Sequence, residues 1–530
     1  MALHDVHLLD LPNEILFRIL KKLDNMDVLY SLLGINNQRL DNIAQEKTFT
    51  TILNFVSMSS NDDVCSISGQ ILNRFYCDIL PRIHYNVKCL ILESNSMEHI
   101  LLAGNYPNLT SFKLFNFNKE ILSRYFLDDS LFRHICKQQI TDLTLISNEN
   151  NSEITLTDYT MNVYLIILSF FKNLKHLSIL SSSIDGYPPL SLHNLPSTIF
   201  SSSTLTKLCI NVNDFGDCLA LLDGRLKQLT TFIVQIKYIE NVSLQSYDMD
   251  DLPDLKSFSL ICYSKISEYD NLVVRLLHHM SHLEELTLYL CIKDRPRFVD
   301  GTHIHNEILS HMTRLHTFTF YISTENYVKD STLRLSNNDI QETFKNRENQ
   351  QVDCTVDYVD DVFVLCKIFS LPFRFDRFEW ITNNFSTMIF NSVTYLILFD
   401  RVSFKHEFFV RVARAFPLLK YLSVHNIKPP FWRFSKPQLV HNYSPIAEYL
   451  HLISLHFGFV SNCYVDQFLN ETKTSLPRLI KLKVNYRQLK SVTENFTRNE
   501  TQRNCAMVKR LIIPGLIVFP EDVYRYFPSL

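Results

Sequence analysis

The chain has 530 residues, 46% of them hydrophobic and 20% charged, which is a globular composition and not a disordered one. Its 52 Lys+Arg against 55 Asp+Glu leave a net charge of -3, so nothing favours nucleic acid or an anionic membrane as a partner. Twelve cysteines without a C-x-x-C pair argue against a zinc site and for free buried thiols in a reducing compartment. The first residues carry no basic region followed by a long apolar stretch. The longest apolar runs, such as 163–168, fall far below membrane-spanning length. The expected location is cytoplasmic and/or nuclear.

The first elements predicted along the chain are three short helices. Pro12 suits a first helical position, where its missing N–H would be unpaired anyway. Glu14 follows in the first turn, where a negative charge favours the positive end of the helix dipole. Ile15, Leu16, Ile19, Leu20 and Leu23 recur at helical period and form a wide apolar face. Residues 24–27 read as a turn, with Asp27 placed to cap a second helix over 28–33. Gly34 ends that helix, and 38–44 read as a third. Helices this short expose more apolar surface than they can bury among themselves.

The run Leu11-Pro12-x-Glu14-Ile15-Leu16-x-x-Ile19-Leu20-x-x-Leu23-Asp24-x-x-Asp27-Val28-Leu29 resembles the opening of the F-box family, and the resemblance covers residues 6–46. Its second half is looser: Ile35, Asn36 and Arg39 stand where the family has Val-Cys and, three residues on, Trp. The resemblance implies a module that binds a Skp-type adaptor, and through it a cullin, using Leu11, Pro12, Ile15, Leu16, Ile19, Leu32 and Ile35. On the residues alone, a three-helix cap on a larger domain is the other reading.

From residue 85 onward one pattern returns: apolar, two residues, apolar, one residue, apolar. It starts at Val87/Leu90/Leu92 and continues through Leu109, Ile140, Leu174, Leu205, Leu229, Leu255, Leu283 and Leu315 as first positions. It then resumes at Val393, Leu419, Leu450, Leu479 and Val508. Within each run the first positions recur every 22 to 34 residues, and a gap of 78 separates the two runs. The alternating end of the pattern predicts a short strand with one buried face. Helices are predicted between strands at 162–171, 271–280, 306–312, 404–416 and 465–472. A strand-plus-helix unit of this length cannot cover its own apolar face, but stacked units can. The pattern resembles the leucine-rich repeat, whose Asn/Cys position is met at Asn95, Asn213 and Cys291. A doubly wound βαβ domain shares the alternation, but 9 glycines and no Gly-rich turn after any strand disfavour it.

The gap holds a weak match, Phe375/Phe378/Trp380, and polar stretches that predict an exposed, mobile insertion. Phe527-Pro528-Ser529-Leu530 reads as the entrance to a further unit.

Chemistry is harder to find. There is no phosphate-cradling loop, no H-E-x-x-H and no G-x-S-x-G. His303, His305, Glu307 and His311, with His278, His279 and His282 upstream, are the nearest approach to a metal cluster, and they read as a solvated helix face. No catalytic residue, metal or cofactor is expected. The residues between and after each buried pair should line one sheet face, among them Ser423 and His425, Ser454 and His456, and Lys483 and Asn485. On that face Tyr289, Tyr321, Phe399, His425 and His456 are expected to form an aromatic and imidazole strip that binds a target protein.

The fold expected is an α/β repeat: a three-helix F-box (1–48), a helical linker (49–84), then an irregular leucine-rich-repeat-like solenoid with a curved parallel sheet and outer helices. The solenoid runs in two parts (85–321 and 375–530), separated by a polar, acidic insertion with a degenerate repeat (322–374). The function this implies is that of a non-catalytic substrate-recognition subunit of an SCF-type E3 ubiquitin ligase. The alternative is a stand-alone repeat scaffold for protein interactions without a ligase link. The target protein is not legible in the sequence.

Overall fold

A computed structural model of the chain describes residues 8–58, 64–117, 119–125, 139–147, 156–181, 189–192, 195–196, 198–240, 254–327, 334–345, 351–359, 363–385, 388–429, 445–516 and 518–530. It is an α/β protein with a large, mostly parallel sheet. Two compact units are present, Met1–Thr287 with His311–Thr317, and Leu288–Ser310 with Phe318–Leu530.

The first unit begins with helices α1 (Asn13–Leu20), α2 (Asn25–Leu32), α3 (Gln38–Ala44) and α4 (Lys47–Thr50). Pro12 stands just before α1, one position earlier than predicted. The cap of α2 is Asp24, whose side chain accepts from the Met26 N–H, and not Asp27. Asn37 caps α3 in the same way. Gly34 takes φ +79°, a left-handed conformation that a side chain would strain.

Strands β1 (Ile52–Asn54), β2 (Val56–Met58) and β3 (Val64–Ser66) come next, so part of the span expected to be a helical linker is strand. Its helices, Gly69–Arg74 and Leu80–Ile83, are joined by a π-type turn. Then follow β4 (Cys89–Glu93), β5 (Ser111–Phe115), β6 (Asp142–Ser147), β7 (His176–Ser181), β8 (Lys207–Asp214), β9 (Thr231–Tyr238) and β10 (Ser257–Ile266). These pair in parallel in chain order, with β1 beside β4. Their inward residues are fully buried, for example Leu90 and Leu92, Phe112 and Leu114, Leu143 and Leu145, and Phe232 and Val234.

One backbone motif repeats at each step. The carbonyl just before a strand accepts two successive N–H groups from the start of the next: Thr51 from Lys88 and Cys89, Lys88 from Thr110 and Ser111, Thr110 from Thr141 and Asp142. The series continues without a break through Thr141, Lys175, Thr206, Thr230, Lys256 and Glu284. It also shows what the sequence pattern overlooked. In β1 the repeat reads Thr50/Leu53/Phe55, all three buried, with the Thr50 hydroxyl satisfied by the Glu46 carbonyl.

The unit boundary falls inside β11 (Glu285–Ile292) and at the start of β12 (Thr317–Tyr327). In the second unit β12 pairs antiparallel with β14 (Phe363–Ser370), which pairs antiparallel with β13 (Val352–Tyr358). This corrects the expected exposed insertion. Its described strands are built into a sheet, with Cys354, Val356, Val364, Ile368 and Phe369 buried. Its acidic Asp357 is buried too, held by Lys367 at 2.9 Å. A separate sheet follows, with parallel strands β15 (Arg377–Ile381), β16 (Tyr395–Phe399), β17 (Tyr421–Asn426), β19 (Ser454–Val460), β21 (Lys481–Lys483) and β22 (Arg510–Ile512). A two-strand pair, β18 (Ala447–Glu448) with β20 (Thr474–Ser475), is interleaved with its strands in sequence. The same shared-carbonyl motif recurs here at Asp376, Thr394, Lys420, Ile453 and Ile480.

Candidate functional site

Two surfaces carry the residues singled out by the sequence. The first is the outer side of the N-terminal helices. Leu16 and Leu20 turn inward with Val28, Leu29, Leu33, Leu40 and Ile43, all buried. One residue earlier on α1, Ile15 and Ile19 are 42% and 41% exposed, and Leu23, in the turn that follows, is 55% exposed. Pro12 is exposed, Ile35 is 45% exposed, and Leu11 and Leu32 are half-buried. The expected adaptor contact at Leu16 is therefore corrected: its side chain has no exposure and belongs to the core between helices.

Arg39, at the place where the resemblance fails, has a definite job. Its guanidinium donates to the Leu9 carbonyl at 2.6 Å, to Asn13 Oδ1 at 2.6 Å and to the Leu11 carbonyl. A five-donor fork can satisfy three acceptors that lysine could not reach together. It ties the 3-10 turn (Leu8–Asp10) that leads into α1 to α3. The helices are also anchored from behind. Phe17 meets Phe49 edge-on at 5.6 Å, Tyr30 stacks with Phe75 at 6.4 Å, and Arg74 lies over the Tyr30 ring.

The second surface is one face of the six-stranded sheet. The register places Ser423, His456 and Lys483 side by side on β17, β19 and β21. Phe399 pairs with His425 one step along the strands. The Ser423 hydroxyl lies 2.9 Å from His425 Nε2 and 3.3 Å from His456 Nδ1, and the two imidazole rings are 5.9 Å apart. Burial, then the Lys483 charge, hold His425 below the usual histidine range, and the same causes push His456 down to about 4. Gly458 makes room for this arrangement. A Cβ there would come within 2.3 Å of the His425 ring.

Of the five residues expected in a binding strip, the structure brings together Phe399, His425 and His456, all half-buried. Tyr289 and Tyr321 are corrected: both are fully buried, stacked on each other and closed over by Phe373, Phe375 and Phe378. The expected inward Trp380 is corrected as well. It adopts φ +58° at a bulge, so Ile381 enters the core instead and Trp380 meets Phe399 edge-on at 4.8 Å. Asn485 does not line the face but caps the helix Tyr486–Val492.

Among the described residues no group of three or more His, Cys, Asp or Glu is placed to hold a metal ion, and no helix is long and apolar enough to cross a membrane. His278 instead packs on His311, ring centroids 4.1 Å apart, and His303 Nδ1 meets Arg295 at 2.9 Å. No protein-family model matches the chain, and no curated protein is detectably similar to it.

Proposed function

We propose that the chain is a substrate-recognition subunit of an SCF-type ubiquitin ligase, with residues 1–48 acting as an F-box and the remainder as an irregular leucine-rich-repeat-like solenoid. The observation that carries the reading is the division of labour on α1. Leu16 and Leu20 suffice for the internal core, which leaves Ile15, Ile19 and Leu23 as large aliphatic side chains facing solvent. Burying each against a partner is worth roughly 1.5–3 kcal/mol. A Skp-type adaptor is the partner whose recognition sequence this stretch resembles, and a cullin would follow through that adaptor. The repeated shared-carbonyl motif supports stacked units of a solenoid in both parts of the chain. Catalysis is not assigned to the chain. It would act by holding a target lysine at high effective concentration near a ubiquitin thioester.

One observation favours the scaffold reading instead. Tyr30, Phe17 and the Arg39 clamp bind the helices firmly to one another and to Phe49 and Phe75, as a cap would be bound. Removing residues 1–46 would strip this packing under either reading. Point substitutions on the outer face separate the two. Co-expression of the full chain with a Skp-type adaptor, comparing wild type with Ile15→Asp/Ile19→Asp, is the test. Co-purification lost in the double variant supports the ligase reading, and its absence in the wild type supports the scaffold.

A further inference from the structure

The corner of the second sheet formed by Ser423, His425, His456 and Lys483 has a chemical preference of its own. We propose that it receives the carboxylate of an acidic side chain on a bound target peptide, an inference that rests on the reading of this unit as the recognition surface. Lys483 sits in the same register row as His456 and Ser423, on strands about 4.8 Å apart. It is half-buried, and among the described residues it makes no ion pair. Its effect on both histidines is repulsive. A fixed positive charge beside two groups that it discourages from protonating lacks an anionic counterpart.

Hydrogen-bond counting adds to this. The Ser423 hydroxyl has one proton and stands between two imidazole nitrogens. In the arrangement that uses this proton between the two rings, the hydroxyl donates to one neutral imidazole and accepts from the other. Of the two ring nitrogens turned away from Ser423, one then keeps an N–H and the other a lone pair. The corner thus offers one ammonium and one neutral N–H. That set suits a carboxylate, which carries one charge and two acceptor oxygens. A phosphoryl group carries nearly twice the charge and is commonly gripped by an arginine fork. Arg377, on the aromatic side of the same sheet, is already committed to Glu379 and lies over the Tyr395 ring. Phe399, with Trp380 against it, and the exposed Tyr421 give the neighbouring positions of the peptide an aromatic surface.

The test is selection of displayed random heptapeptides on the immobilised full chain and, in parallel, on Lys483→Met. Asp or Glu should be enriched at one position on the wild type only. A synthetic selected peptide should bind at least tenfold more weakly when that residue is replaced by its amide, and tenfold more weakly to Lys483→Met. Lys483→Arg, which keeps the charge, should restore binding within threefold, and an unchanged melting temperature of Lys483→Met shows that its loss of binding is not unfolding. Selected peptides without an acidic position, no selectable peptide, equal affinity for Lys483→Met, or tighter binding of a phosphoserine version would each overturn the proposal. Adaptor co-purification, measured on the same variants, separates the two readings. It should be unchanged in Lys483→Met, and its loss from the wild-type chain would count against the ligase link alone.

Discussion

Tyr289 and Tyr321 stack with ring centroids 4.5 Å apart and planes at 25°, and the Tyr321 hydroxyl donates to the Glu379 carbonyl at 3.3 Å. The pair sits on two register-neighbouring repeats, where an exposed aromatic strip would begin, yet both rings are sealed from solvent. They act as a foundation for the covering segment with Phe373, Phe375 and Phe378, and not as a docking surface. Tyr321→Ala should therefore cost about 3–5 kcal/mol of stability in denaturant unfolding. It should do so without a direct contact to any target.

A second prediction concerns the ion pair between Lys367 Nζ and Asp357 Oδ2, whose side chains are 2% and 3% exposed. Among the described residues, Asp357 Oδ1 has no hydrogen-bond partner. Lys367→Met alone strands a buried carboxylate and should destabilise by about 3–5 kcal/mol, whereas Lys367→Met/Asp357→Leu should recover most of that loss. Chemical denaturation of the three proteins decides it. A double variant as unstable as the single one would show that the pair is not simply self-compensating.

These two cases mark where the sequence stopped being legible. Alternation at Leu90/Leu92, Leu143/Leu145 or Leu422/Val424 predicts a one-face-buried strand, and the strands stand there. The pattern failed where a core position is polar but satisfied locally. Thr50 hides the first repeat, and Asp357 with Lys367 made a buried hairpin read as a surface insertion. It failed at Trp380 because a bulge shifts the side-chain period by one residue. On α1 the apolar stripe is wider than one interface. Periodicity could not say that Leu16 faces in and Ile15 out, since that depends on what packs behind, here Phe49 and its neighbours.

The pH dependence of the second surface has a definite sign. His456 in the folded chain is held down to about 4 by burial and by Lys483, His425 and Lys481, against about 6.5 in the unfolded chain. The unfolded state then binds more protons between these values, so stability falls as pH is lowered from about 6.5 to about 4. The histidine ring protons of His456, followed by NMR in selectively labelled protein, should remain in the neutral position at pH 5.5. Lys483→Met should raise the midpoint, because it removes one of the repelling charges.

Arg39 should matter to the first surface without belonging to its apolar face. Arg39→Ala leaves the carbonyls of Leu9 and Leu11 without their donor and should cost about 1–2 kcal/mol. Arg39→Lys should recover only part of it. Thermal unfolding measures the loss, and adaptor binding should weaken in step, since the start of α1 is no longer held.

The most direct measurement is adaptor capture by the 530-residue chain carrying Ile15→Asp/Ile19→Asp. Both side chains lie on the solvent side of α1, so the fold should survive, as checked by an unchanged melting temperature. The account predicts that the wild type co-purifies with a Skp-type adaptor and the double variant does not. Equal recovery of the adaptor by both, or none by either, would contradict it.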